Sequence, residues 1–200
     1  MNVLTNLPPT AWALVGAAIV VGWILSWGWS TYRQHSARKA LIGAVTGAGS
    51  DFLADILVPD GMGGSFHLDF ALLTPQGIVI VDLRDVAGNI FGGDQMTEWT
   101  VMDGAHRTTF ANPQGALYDR IAAVKAVTGE IPVEGRIVFT RRGKFPKGLP
   151  KWTLMVDSLK SEFPSVDRME MGTRYRDEWR RLKEAVSPSS MNQSRPLSVR

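Results

Sequence analysis

Cysteine is missing from this 200-residue chain, and histidine and tyrosine occur only three times each. Without thiols there is no disulfide scaffold, no thiolate zinc site, no iron–sulfur cluster and no cysteine nucleophile. Three histidines (His35, His67 and His106) leave little room for a multi-histidine metal site. Charge is missing from one end: all 22 Lys and Arg and all 19 Asp and Glu follow residue 30. The net charge of +3 permits a polyanionic partner without requiring one. The length allows one domain of about 100–150 residues plus additional segments.

The uncharged start is also apolar. Thr10 to Trp29 reads TAWALVGAAIVVGWILSWGW, twenty residues. At about 1.5 Å per residue these span roughly 30 Å, the thickness of a hydrocarbon core. Trp12 at one end and Trp27 and Trp29 at the other suit the two membrane interfaces. A cleaved signal peptide fits less well, because residues 1–9 carry no Lys or Arg and the apolar run is long. The expectation is one retained transmembrane helix over residues 10–29. Arg33, Arg38 and Lys39 follow it, and basic flanks stay on the cytoplasmic side. The layout expected is a short outer terminus (1–9), the span in a cell membrane (10–29), a basic linker (30–39), a cytoplasmic domain (40–186) and a Ser/Pro-rich disordered tail (187–200).

Within the domain, residues 37–48 form a short segment of helical character. Asp51–Val58 reads as a first strand or a short helix. Phe66–Leu73 and Ile78–Leu83 are dense in β-formers, and Asn89–Phe91 and Trp99–Met102 look like further strands. Asp103-Gly104 marks a hairpin turn into Arg107–Phe110. Asn112 followed by Pro113 caps a helix, whose apolar stripe is Leu117, Ile121 and Val124. Arg136–Thr140 and Trp152–Val156 read as strands, and 157–163 and 174–186 as helices, the latter packing through Trp179 and Leu182. This is an α/β or α+β pattern.

The chemistry concentrates in FHLDFALL-TPQG-IVIVDLR. Pro75 and Gly77 suit a tight turn. If Thr74 faces Gly77, paired residue numbers sum to 151. Asp69 then opposes Asp82, and His67 opposes Arg84. Alternation puts all four on one face with Ile78 and Ile80. Two opposed carboxylates sit about 5 Å apart at Cβ and repel. Three readings follow: a divalent cation between them, compensation by Arg84 without metal, or a hydrated surface face. A carboxylate pair suits Mg²⁺.

The run HLDFALLTPQGIVIVDLRDVAGNIFGG, with Trp99 and Asn112-Pro113 behind it, resembles the nuclease-related domain (NERD) family. That family is similar to the PD-(D/E)xK restriction-endonuclease-like superfamily. The features that carry the resemblance are Asp69, Gly77, Asp82-Leu83-Arg84, Gly88, Trp99 and Asn112-Pro113, and it covers roughly residues 40–140. It implies a restriction-endonuclease-like mixed sheet flanked by helices. It also implies Mg²⁺- or Mn²⁺-dependent hydrolysis of DNA, with Asp69 and Asp82 as metal ligands and catalytic residues. Arg84 takes the position of the catalytic lysine. Asp82 stands where the family has Glu, and Arg84 where it has Lys. Arginine stays protonated and is no base, but it binds phosphate bidentately. No upstream Gly-Glu pair is matched; only Ser50 and Asp51 stand near its place. Gln114 and Tyr118 correspond to a Gln and a ring residue on the helix after Asn-Pro.

Candidates for nucleic-acid contact are His67, Gln114, Tyr118 and the basic stretch Arg141, Arg142 and Lys144, continued by Lys147 and Lys151. The same stretch also suits anionic lipid. Gly61-Met62-Gly63-Gly64 lacks P-loop residues and reads as a loop, and His106 as an exposed hairpin residue. The leading expectation is a membrane-anchored nuclease. Its alternative is an inactive relative that binds nucleic acid or a protein partner at the membrane face.

Overall fold

The computed structural model describes residues 42–45, 47–163 and 175–189. The expected span 10–29, its flanks at 1–9 and 30–39, and the tail from residue 190 lie outside the described residues. Among the described residues no helix is long and apolar enough to cross a membrane.

Residues 42–45 form a turn of helix. The chain then continues through β1 (Asp51–Pro59), β2 (Ser65–Thr74), β3 (Gly77–Arg84), β4 (Gly88–Phe91), β5 (Glu98–Asp103) and β6 (His106–Ala111). Helix α1 (Pro113–Thr128) precedes β7 (Val133–Phe139), β8 (Gly143–Lys144) and β9 (Thr153–Met155). A 3₁₀ turn (Val156–Ser158) leads into α2 (Leu159–Glu162). Helix α3 (Arg176–Ala185) and β10 (Ser187–Pro188) close the described chain. The strands form two mixed sheets rather than the single sheet expected. One has the order β10-β1-β2-β3-β7-β9 and the other β6-β5-β4-β8.

The β2–β3 hairpin has the register inferred from its turn, from Thr74↔Gly77 to Phe70↔Val81. Gly77 is required there: its φ is +134°, and a Cβ would lie 2.1 Å from the Pro132 carbonyl oxygen. β3 then pairs in parallel with β7, and β7 with β9. A strand with neighbours on both edges and layers on both faces reads as a continuous apolar run. This accounts for GIVIVDLR, in which every residue but Arg84 is buried. Ile78, Ile80, Ile137, Leu117, Val124, Trp179 and Leu182 share one core cluster.

Helix α1 is fixed at its start. Asn112 Oδ1 accepts the Gln114 N–H at 3.0 Å, and Asn112 Nδ2 donates to the Met96 carbonyl at 2.8 Å. Asn112 is thus both the cap and a strut to the preceding loop. The helix then lies close on β7, because Gly135 has no side chain. A Cβ there would meet Leu117 and Ile121 side-chain carbons at 2.7 and 2.8 Å.

The second sheet joins the first through aromatic rings. Trp99 of β5 stacks on Phe139 of β7 with centroids 6.1 Å apart, and meets Phe110 and Phe145 edge-on. At the other edge, Ser187-Pro188 corrects the expectation of a tail disordered from Ser187. The segment pairs with Leu57 and Ile56 of β1, where edge-strand proline is tolerated. Trp179 and Leu182 are buried as the helical spacing predicts, and the Trp179 indole donates to Asp51 Oδ2 at 2.7 Å.

Gly135→Val forces a branched side chain between α1 and β7. The expected loss is about 1–3 kcal/mol of unfolding free energy, read by urea denaturation followed through tryptophan fluorescence. An unchanged midpoint would contradict this packing.

Candidate active site

The hairpin register carries Asp69 and Asp82 to neighbouring strands, and β1 adds a third acid. The β1–β2 ladder runs Ala54↔Phe70 and Ile56↔Leu68, so Asp55 stands across from Asp69. By the sum of 151, Asp69 stands across from Asp82. Three aspartates thus lie in one row over three strands, and both ladders are interrupted at that row. Like charges held directly opposite are destabilising, so each carboxylate turns to a different partner.

Asp55 adopts φ +55°, a left-handed conformation that aspartate tolerates better than most residues. Its Oδ1 lies 2.6 Å from His67 Nε2. The other ring nitrogen, Nδ1, is 3.7 Å from Asp69 Oδ1. Asp69 Oδ2 accepts the Leu83 N–H at 2.8 Å, so a side chain satisfies a backbone donor where the β2–β3 ladder stops. His67 therefore does not face Arg84 as the extended register predicts. It engages Asp55 and lies near Asp69, while Arg84 turns to Asp82.

Asp82 is the most buried of the row, with 4% of its surface exposed. That removes the reading of it as a hydrated surface acid. Its Oδ2 accepts from Arg84 Nη2 at 2.8 Å and from Arg120 Nη1 at 3.2 Å. Arg120 comes from α1, and its Nε donates to the His67 carbonyl at 2.7 Å. One guanidinium thus ties helix, β2 and the acid of β3 together. Among the described residues Arg84 Nε is buried without a hydrogen-bond partner.

Asp69 carries the electrostatic cost. Burial first, and then the negative charge of Asp82, push its carboxyl above the usual range. The Leu83 N–H, His67 and Arg120 act in the opposite direction without cancelling the rise. Negative charge is therefore under-compensated at Asp69.

A hard divalent cation fits this pair in its donor chemistry. Mg²⁺ takes one or two carboxylates and fills its remaining positions with water and phosphate oxygens. Asp69 and Asp82 each keep a carboxylate oxygen, Oδ1, without a hydrogen bond among the described residues. No group of three or more His, Asp or Glu is placed to hold a metal among those residues, so the pair supplies at most two protein ligands.

The other candidates lie elsewhere. Gln114 is buried and fully engaged, donating to Asp94 Oδ1 at 3.0 Å and to the Lys151 carbonyl at 2.8 Å. Tyr118 is exposed and accepts the Trp152 indole N–H at 2.8 Å. Arg141 grips Asp157 and Arg142 pairs with Asp85, whereas Lys144 is exposed and forms no ion pair among the described residues. Asp55 and Arg120 escaped the sequence reading. Arg120 left a signal: it lies three residues after Leu117 and four before Val124, a core-facing spacing for a charged side chain. Asp55 was marked only as an acid amid apolar residues.

Removing Arg120 leaves Asp82 buried with one cation. Arg120→Ala is expected to cost about 3 kcal/mol. Asp82→Asn introduced into that variant should recover part of the loss. A double-mutant cycle by chemical unfolding measures the coupling, and additive losses would show that none exists.

Asp69 predicts a pH dependence. Its folded pKa lies above the unfolded value of 3.8. The folded state therefore holds the proton more tightly, and this contribution to stability is lost as pH rises through the folded pKa. Asp69→Asn should raise the melting temperature near neutral pH and lose that advantage below about pH 4. A constant difference at every pH would contradict the assignment.

The family model for the nuclease-related domain, NERD, matches residues 38–140. No curated protein and no solved structure matches the chain.

Proposed function

The chain belongs to the nuclease-related domain family, and on that premise we propose that it is a membrane-anchored, Mg²⁺-dependent phosphodiesterase acting on DNA. The observation that carries the reading is the meeting of a buried Asp82 with a partly buried Asp69 in one row, with under-compensated negative charge at Asp69. Asp69 and Asp82 would hold Mg²⁺ or Mn²⁺, which when bound polarises a phosphodiester and lowers the pKa of a water ligand.

The chain's own residues have separable tasks. Arg84 remains protonated, so it takes no proton and instead offers N–H groups to phosphate oxygens. Its buried Nε is a donor in want of an acceptor. Arg120 holds Asp82 from the helix side and ties α1 to β2 through the His67 carbonyl. His67 bonds Asp55 and lies 3.7 Å from Asp69, so it links two members of the row. The finer fold assignment, a restriction-endonuclease-like sheet, belongs to the same proposal. So does attachment to the cytoplasmic membrane face through residues 10–29.

One observation favours a second reading. Two guanidinium groups already share Asp82 Oδ2, which neutralises that acid without metal. On this reading the domain is an inactive relative that binds nucleic acid or a protein partner.

The test is cleavage of supercoiled plasmid and of single-stranded DNA with Mg²⁺ or Mn²⁺. Asp69→Asn and Asp82→Asn should each reduce metal-dependent cleavage at least about 100-fold. Absence of cleavage by the unaltered chain with either metal favours the binding module. Arg84→Lys then reports on the site's history: a gain of activity marks an atrophied nuclease.

A further inference from the structure

Between β8 and β9 the chain reads Lys144-Phe-Pro-Lys-Gly-Leu-Pro-Lys-Trp152, beyond the region that the family model matches. Its Lys144, Lys147 and Lys151 are exposed and form no salt bridge among the described residues, although the charge of Lys151 reaches Asp94. The neighbouring arginines differ, since Arg141 and Arg142 are taken by Asp157 and Asp85. Three exposed lysines without a salt bridge thus lie close together on this loop, with Lys147 Nζ 5.9 Å from the Phe91 ring centroid.

The loop ends on an aromatic residue in an unfavourable backbone conformation. Trp152 has φ +60°, which costs on the order of 1–2 kcal/mol for a bulky L-residue. The conformation is held from three sides. The Trp152 carbonyl accepts the Ile137 N–H at 2.7 Å. Its indole N–H donates to the Tyr118 hydroxyl at 2.8 Å. The Arg136 guanidinium lies 5.3 Å from the ring centroid. Even so, the residue stays 41% exposed and Tyr118 53% exposed. Both rings are held and presented to solvent, and Tyr118 borders a cleft of about 330 Å³ whose lining also includes Asp94, Gln95, Asn112, Gln114 and Lys151, the residue before Trp152.

We propose that Trp152 and Tyr118, with Lys147 and Lys151, form a stacking platform for unpaired bases, so that single-stranded nucleic acid is the preferred ligand of this site. Every base has a π face, and an aromatic ring held in place binds it without reading sequence. A duplex hides those faces. The position suits the site: Asp82, Ile137 and Thr153 occupy one row across β3, β7 and β9. Trp152 adjoins that row two strands from Asp82, roughly 10 Å away at about 4.8 Å per strand. A bilayer is the less favoured occupant of the loop. It would bury Asp94, Gln95 and Asn112 at the cleft away from water.

The inference rests on the nuclease reading for the path of a strand toward Asp82, but not for binding. The test is therefore made without metal. The full chain, held in phosphatidylcholine discs with EDTA, is titrated into a labelled oligothymidine about 15 nucleotides long and into a duplex. Trp152→Ala should weaken single-strand binding about 5- to 100-fold and leave duplex binding nearly unchanged, while Trp152→Phe retains most of the affinity. Tyr118→Ala, at a more exposed position, gives a second reading with a smaller loss. Lys147→Gln with Lys151→Gln should reduce the salt slope of single-strand binding by about 1.4. Oligothymidine affinity that ignores both aromatic substitutions overturns the platform. Brominated-lipid quenching that Trp152→Phe reduces, with oligonucleotide affinity unchanged in Trp152→Ala, overturns it in favour of a membrane contact. Trp152-dependent binding by a chain that cleaves nothing would support the platform while overturning the nuclease reading. Cleavage that persists in Trp152→Ala at unchanged oligonucleotide affinity would do the reverse.

Discussion

A carboxylate buried at the end of an otherwise apolar strand governs this domain. Asp82 lies in a strand whose neighbours on both edges and layers on both faces exclude water. An ion in that position is sustained only by partners close at hand. Arg84 comes from the same strand and is local. Arg120 comes from 38 residues away, and its arrival requires the helix to be capped, aligned and close to the sheet. The Asn112 cap, the missing side chain at Gly135 and the apolar stripe of α1 can therefore be understood together. Each helps deliver one guanidinium to one carboxylate.

The neighbouring acids obey the same constraint in other ways. Asp69 replaces a backbone acceptor for Leu83 and remains harder to ionise than an ordinary aspartate. Asp55 adopts a left-handed backbone and turns to His67. The row is thus a graded arrangement: one acid with two cations, one with a backbone donor, one with an imidazole. Such an arrangement costs stability relative to apolar residues of similar volume.

Much of the fold was legible because local chemistry and tertiary pairing agree. The Thr74-Pro75-Gln76-Gly77 turn set the hairpin register, and Asn112-Pro113 set the start of α1. The opposition of Asp69 and Asp82 followed from that register alone. The facing of His67 and Arg84 did not hold, because the ladder stops at Phe70↔Val81 and the side chains beyond it choose partners by charge. Arg120 and Asp55 depended on contacts between distant segments. No local pattern states which strand a helix will cover, or that a strand will turn left-handed at one acid. The second sheet was hidden for the same reason, since the stacking of Trp99 on Phe139 brings together residues 40 apart in sequence.

The short strand β10 bears on the backbone of Asp55. Its two residues cover the free edge of β1, and the Ser189 N–H donates to the Asp55 carbonyl at 3.0 Å. The last described residues thereby hold the backbone of the acid whose conformation is strained. Excision at Val186 would bare part of the β1 edge, ready to pair with another molecule, and loosen the outermost member of the acidic row. Residues past the charged helix, where composition turns to serine and proline, thus brace the strand that carries Asp55.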